Sequence, residues 1–171
     1  MKTYIISIFC VIAGIILDQY TKFLAVTHLQ DAAIPIIDGV FELRYLENRG
    51  AAFGMLQNQQ VFFFIAACTM LVIVAILYVR LPQTRRLLPF RICMILLAAG
   101  AIGNMIDRMR MSYVVDFLYF KLIDFPIFNM ADIYVTISAI GVILLILFYY
   151  KEEELDEFFQ VFSWKRKKRQ E

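Results

Sequence analysis

Four long stretches of the chain carry almost nothing polar. The first runs from about Thr3 to His28 and meets no charge until Asp18; the second, Val61 to Val79, has none. The third runs from about Leu87 to Ile106 with only Arg91 near its start, and the fourth, Ile133 to Tyr150, lies uncharged between Asp132 and Lys151. Each is about long enough to cross a ~30 Å hydrocarbon core. An open chain crosses such a core only as a helix, because backbone N–H and C=O groups find no water there and must satisfy one another within the segment. The pattern therefore predicts four transmembrane helices. Between the first two, at about 29–60, the chain turns polar, and Phe41, Leu43 and Tyr45 alternate with Glu42 and Arg44. That period of two predicts a short strand outside the membrane. It leads into Asn48-Arg49-Gly50-Ala51-Ala52-Phe53-Gly54, where small residues permit tight turns and close approach.

Composition agrees with lipid as the main solvent. Hydrophobic residues make up 61% of the 171, and mean hydropathy is +0.70, more apolar surface than aqueous packing hides in 20.0 kDa. Seventeen Lys and Arg against fifteen Asp and Glu leave a formal net charge of +2, which makes no case for nucleic acid. The placement of the charges says more. Lys2, the second-to-third connection (Arg80, Arg85, Arg86, Arg91) and the C-terminal stretch (Lys151, Lys165, Arg166, Lys167, Lys168, Arg169) hold eleven basic residues. The other side holds six: Lys22, Arg44, Arg49, Arg108, Arg110 and Lys121. The positive-inside rule then puts both termini in the cytoplasm. Residues 1–150 form the membrane domain. Residues 151–171 form a tail in which acidic residues precede Leu155, Phe158, Phe159 and Phe162 at helical spacing and a basic run from Lys165 to Arg169. This is the pattern of an interfacial amphipathic helix, each basic residue adding ~1 kcal/mol of attraction to anionic lipid. The first apolar run has no small-x-small cleavage site, and Phe9 sits where a lipoprotein signal wants a small residue before Cys10, so it is expected to be a retained helix.

Depth gathers the polar residues. Asp18 lies sixteen residues beyond Lys2 and Asp107 sixteen beyond Arg91. At a helical rise of ~1.5 Å per residue each carboxylate sits ~24 Å above its cytoplasmic marker, near the outer boundary. Asp132 opens the fourth span at that same boundary. Asp18 and Lys22, four apart, share a helix face, as do Asn104, Asp107 and Arg108. Charges at this depth must be paired or hydrated, so ion pairs holding helices together are favoured over direct chemistry for both clusters. Asp116 stands in Tyr113-Val114-Val115-Asp116-Phe117-Leu118-Tyr119-Phe120 with no basic residue within four positions. Desolvation there favours its neutral form. Asn129 and Asp132 are spaced as N-cap and third helical residue, close to a capping box, and the helix dipole favours an ionised Asp132. Capping explains Asp132 as well as catalysis does. Asp116 tips the balance, because two carboxylates sharing one proton can activate water and donate to a scissile carbonyl, as aspartic peptide hydrolysis requires.

Other chemistries fare worse. Cys10, Cys68 and Cys93 are far apart in apolar runs and read as small buried hydrophobes, neither a disulfide frame nor a metal site. The single histidine, His28, reads as an interfacial side chain at a helix end. No G-x-S-x-G elbow occurs, and Ser7, Ser112, Ser138 and Ser163 lack a base partner.

Five blocks carry a resemblance: Asp18-Gln19-Tyr20-Thr21-Lys22, Asn48-Arg49-Gly50-Ala51-Ala52-Phe53, Gly100-Ala101-Ile102-Gly103-Asn104-Met105-Ile106-Asp107-Arg108, Val114-Val115-Asp116-Phe117 and Phe128-Asn129-Met130-Ala131-Asp132. In this order, on four spans, the chain resembles the bacterial lipoprotein signal peptidases (signal peptidase II) over nearly its whole length. The resemblance implies a membrane aspartyl endopeptidase of the bacterial cytoplasmic membrane that cuts prolipoproteins before their diacylglyceryl-modified cysteine. It implies Asp116 and Asp132 as the catalytic pair. It also implies Asp18, Lys22, Asn48, Gly50, Asn104, Asp107, Arg108 and Asn129 as substrate-binding or site-ordering residues. A small extracytoplasmic sheet and a mobile element over the cleft are implied as well. Ile133 departs from the family, which commonly has a small hydroxyl residue after the second aspartate. No metal or cofactor is implied, and a monomer in membrane lipid is expected. The rivals are a proton-coupled carrier, which lacks the expected midplane gate or broken helices, and a non-catalytic lipid-binding or assembly subunit, which leaves Asp116 without a reason. The charge asymmetry makes a prediction: a reporter fused after Lys151 reads cytoplasmic and one inserted near Asp38 reads external, the reverse pattern overturning the orientation.

Overall fold

The computed structural model of the chain describes residues 2–50 and 59–154. Ala51, Ala52, Phe53 and Gly54 and the tail beyond Glu154 lie outside the described residues. Among the described residues, four helices are long and apolar enough to cross a membrane. They are α1 (Lys2–His28), α2 (Gln60–Arg80), α3 (Leu88–Met111) and α4 (Met130–Leu144), the last continued by a π-helical turn over Leu145–Tyr149. Their outer faces expose Ile5, Phe9, Ile16, Phe23, Val61, Ile65, Val79, Ile140, Leu147 and other large apolar side chains. Lipid is the solvent those faces require, and the chain is a multi-pass membrane protein. Cys10 is exposed on α1, Cys68 is half-buried and only Cys93 is buried, so the expectation of three buried cysteines holds for one. A thiol is apolar enough to stand where α1 meets lipid.

The third span runs five residues past its expected end, to Met111. Arg108 and Arg110 occupy its last turn, where cations suit the helix dipole, and Ser112 closes it in the left-handed conformation at φ 63°. α3 is the central helix, packing against α1, α2 and α4. The approach to α4 is close because residue 100 is glycine: a Cβ there would meet the Ala131 carbonyl oxygen at 2.5 Å and Val135 Cγ2 at 2.9 Å. Gly103 does the same for α1, where a Cβ would collide with the Asp18 carboxylate. Small residues at these contacts are how membrane helices bring backbones and polar groups together.

Outside the helices stands a three-stranded antiparallel sheet in the order β1 (Ile34–Ile37), β2 (Phe41–Asn48), β3 (Val114–Tyr119). The alternation at Phe41–Tyr45 lies within β2. Periodicity does not reveal β1 and β3, since one is four residues of Ile and Pro and the other a nearly unbroken apolar run. β3 alternates all the same in its packing. Val115 and Phe117 pack with Ala25 and Leu29 at the end of α1, while Asp116 points to the other face. The register pairs Leu43 with Leu118 but Leu46 with Asp116, so β2 holds one extra residue. Such a bulge re-aims the rest of its strand, here Asn48, opposite Val114 and diagonal to Asp116.

A second core cluster, Val74, Leu81, Leu87, Phe90, Cys93, Met94 and Tyr150, joins α2, α3 and the end of the fourth span away from the sheet. The Gly100 contact gives a test. Gly100→Ala is expected to lower unfolding stability in detergent by about 1–3 kcal/mol, the usual cost of overpacking a tight contact, read as a fall in thermal midpoint.

Candidate active site

α4 begins with a full capping box. The Asn129 side chain accepts a hydrogen bond from the Asp132 N–H at 3.0 Å, and Asp132 Oδ2 accepts one from the Asn129 N–H at 3.1 Å. The spacing read from the sequence is what the helix uses. Both side chains also reach beyond the cap. Asn129 Nδ2 donates to Asp116 Oδ1 at 2.6 Å and to Asn104 Oδ1 at 3.2 Å, while Asn104 Nδ2 donates to Asp132 Oδ1 at 2.8 Å. Asn48 Nδ2 donates to Asp116 Oδ2 at 2.8 Å, and Asn48 Oδ1 accepts the Gly50 N–H at 3.0 Å. Two amides, rather than a counter-ion, thus satisfy Asp116. Burial and the charge of Asp132 push its pKa up from 3.8 to about 7, outweighing the Asn48 and Asn129 hydrogen bonds that favour the ionised form.

Behind this layer lies a second one, buried almost completely. Lys22 Nζ stands 2.9 Å from Asp18 Oδ2, 2.9 Å from Asp107 Oδ2 and 2.8 Å from Asn104 Oδ1. Asp18 and Asp107 lie on different helices, so one ammonium joins α1 to α3. Asp18 Oδ1 accepts the Ala131 N–H at 2.9 Å and Asp107 Oδ2 the Val115 N–H at 3.3 Å. The cluster therefore fixes both backbone segments that carry the other two aspartates, one residue before Asp132 and one before Asp116. Gln19, which lies in the first of the five blocks, belongs here as well. Its Nε2 donates to Asp107 Oδ1 at 2.8 Å and to Asp18 Oδ2 at 3.2 Å. Face counting along one helix passes over it, because its partner Asp107 sits on a neighbouring helix.

Arg108 leaves its expected companions. Asn104 and Asp107 join the buried network, whereas the Arg108 guanidinium lies 4.6 Å from the Phe63 ring centre and faces a cleft. That cleft, about 1030 Å³, is walled by Arg44 to Asn48 of β2 and by Arg49 and Gly50 just past it, by Tyr119 and the 124–128 segment, and by α4 at Asp132, Ile133, Thr136 and Ile137. Asp132 and Asn48 line it. Asp116 does not: it is 1% exposed, behind Asn48. Thr136, one turn beyond Asp132, is a second lining residue that no sequence pattern singles out. Nine of the ten candidate residues are thus joined by hydrogen bonds and ion pairs at the sheet end of the helices, and Arg108 shares the cleft with Asp132 and Asn48.

A sequence model of signal peptidase (SPase) II matches residues 10–150. The chain belongs to the signal peptidase II family. It is similar to the lipoprotein signal peptidase of Streptococcus thermophilus (strain CNRZ 1066), 46% identical over 144 residues that cover 84% of this chain and 91% of that one. Likewise it is 40% identical to the lipoprotein signal peptidase of Streptococcus pyogenes serotype M6 over 154 residues, covering 90% and 96%. Among solved structures it resembles a bacterial membrane enzyme determined by the in meso method at 2.3 Å, with a TM-score of 0.74 and 34% identity over 85% of this chain and 92% of that one. As a signal peptidase II the protein is a membrane aspartic peptidase.

The buried layer gives a prediction. Lys22→Met leaves Asp18 and Asp107 facing each other without a cation, and is expected to cost roughly 3–5 kcal/mol of stability. Thermal unfolding in detergent reads it, and a midpoint near that of the parent would show the ammonium to be dispensable.

Proposed function

We propose that this peptidase removes signal peptides from lipid-modified prolipoproteins, cutting before the diacylglyceryl-cysteine, with Asp116 and Asp132 as its catalytic pair. The observation that carries this reading is the joint suspension of two aspartates from Asn129 and Asn104, one carboxylate on the cleft and one beside it. The names of the streptococcal relatives supply the substrate class. Asp132, on the cleft wall, serves as base toward the attacking water. Asp116, whose pKa is raised to about 7, still carries a proton on part of the molecules near neutral pH and donates it to the oxygen of the scissile carbonyl. The Asn48 amide donates to Asp116 Oδ2; the substrate carbonyl takes that place as the peptide lies along β2.

Arg108 and the 44–50 segment hold the extended cleavage segment, and Asp18, Gln19, Lys22 and Asp107 order the site from behind. Residues 1–150 make up the peptidase and the tail anchors it at the cytoplasmic surface. The basic residues concentrated on one side support cytoplasmic termini, with the site at the outer face, where the diacylglyceryl chains of the substrate rest in the outer leaflet. A monomer embedded in lipid suffices for this arrangement, and no nucleic acid takes part.

Asp116→Asn and Asp132→Asn each remove the shared proton chemistry while keeping size and much of the hydrogen bonding. Each is expected to lower turnover of a lipidated peptide by about 10²–10⁴-fold with binding retained. The double variant is expected to be little worse, since the two act as a unit. Capping alone predicts near-parental cleavage for Asp132→Asn, because Asn also caps, so that result in a folded protein would remove the aspartate from the mechanism. Asp116 sets the pH profile. Its pKa is raised, so the donor proton is present below about 7 and lost above, and kcat is expected to fall as pH rises through that value.

A further inference from the structure

We propose that Thr136 is a substrate-binding residue whose hydroxyl donates to a backbone carbonyl of the peptide on the N-terminal side of the cut, about two residues from it. The inference rests on the peptidase reading above and adds to it a residue of α4 that stands clear of both aspartates. The cleft has two unlike ends. Toward the sheet its wall carries Arg44, Arg49 and Asp124; along α4, past Asp132, it carries Ile133, Thr136 and Ile137. Thr136 thus supplies the one hydroxyl on the helix wall, between two isoleucines. Ligand sites are commonly built this way, largely apolar with a few placed polar groups that fix orientation.

A hydroxyl inside a membrane helix ordinarily turns back onto its own backbone. Ser7, Thr21, Thr27, Thr69 and Ser138 all do so, each donating to a carbonyl three or four residues earlier at 2.6–2.9 Å. The Thr136 hydroxyl makes no such bond, either with the Asp132 carbonyl or with any other group among the described residues, and its side chain is exposed on the cleft. A hydroxyl left unpaired in apolar surroundings is costly, and an acceptor brought by the substrate removes that cost. Geometry names the acceptor. Thr136 lies one turn past Asp132, ~6 Å further along α4 and away from the sheet. An extended chain covers that length in about two residues at ~3.3 Å each. The part of the substrate that runs this way from the cut is the one returning to the membrane, the signal-peptide side, while the mature chain leaves past the sheet. The diacylglyceryl esters also offer carbonyls, but they hang from the cysteine on flexible single bonds. The backbone, laid between β2 and α4, reaches Thr136 in fixed register.

The test uses the full chain in detergent micelles with a diacylglyceryl-modified peptide. Thr136→Val removes the hydroxyl and keeps the branched shape; Thr136→Ser keeps the hydroxyl. Thr136→Val is expected to raise KM about fivefold with kcat nearly unchanged, because a hydrogen bond made equally in the ground and transition states is uniform binding. Thr136→Ser is expected to stay near the parent in both constants. In an Asp116→Asn background, where cutting is slow, adding Thr136→Val is expected to weaken binding of a fluorescent form of the peptide about fivefold. A peptide whose lipid chains are joined by ethers in place of esters is expected to show the same penalty. Thermal midpoints are expected to match the parent's, since the hydroxyl holds nothing within the protein. Parental KM and binding in Thr136→Val would overturn the proposal, and so would an equal loss in Thr136→Ser. A penalty that vanishes with the ether lipid would overturn it too, making the ester the acceptor. Failure of the parent to cut the peptide would remove the assignment of the aspartates, whereas the binding measurement would still read Thr136.

Discussion

The Lys22 ammonium, held among Asp18, Asp107 and Asn104 in a space only 3% open to solvent, sets the constraint that the rest of the site obeys. A charge so deep is tolerated only when surrounded by partners, and the partners come from two helices. Satisfying one group therefore fixes the relation of α1 to α3. The same two carboxylates receive the Ala131 and Val115 N–H groups, which carries that order forward to the residues preceding Asp132 and Asp116. Gly103 is part of the same requirement, because any side chain there would stand where the Asp18 carboxylate stands.

In front of this layer the amides do the work that charges do behind it. Asn129 caps α4, donates to Asp116 and contacts Asn104, so one side chain connects helix, strand and both aspartates. An amide can hold a carboxylate in place without forcing it to ionise as a lysine would. Asp116 is thereby positioned yet free to keep a proton near neutral pH, and the low dielectric around it makes the charge of Asp132 felt. The family's chemistry asks for this combination: fixed geometry with a labile proton.

The sheet contributes by irregularity as much as by regularity. Its bulge between Leu43 and Leu46 lets Leu43 face Leu118 and still brings Asn48 to the diagonal of Asp116. β3 serves two masters by alternation, with Val115 and Phe117 buried toward α1 and Asp116 turned toward α4. A strand outside the membrane thus delivers one aspartate, and a transmembrane helix delivers the other.

Local physics made much of this legible in the chain. Four uncharged runs dictate four spans because lipid admits no other solution, and the Asn129 to Asp132 spacing dictates a cap because both ends of that box lie within one turn. The i, i+4 pair of Asp18 and Lys22 is a consequence of helix geometry alone. Asp116 stood out because a carboxylate in an apolar run has to be explained. The three-dimensional structure decided what depends on residues far apart: that Lys22 shares itself with Asp107, that Gln19 joins them, that Asn48 covers Asp116, and that Arg108 turns away to the cleft. β3 hid in sequence because both of its faces are largely apolar, leaving no alternation to read until α1 and α4 supplied its two environments. Periodicity reports a residue's own helix or strand; which carboxylate an amide meets across the bundle is set only when the elements pack.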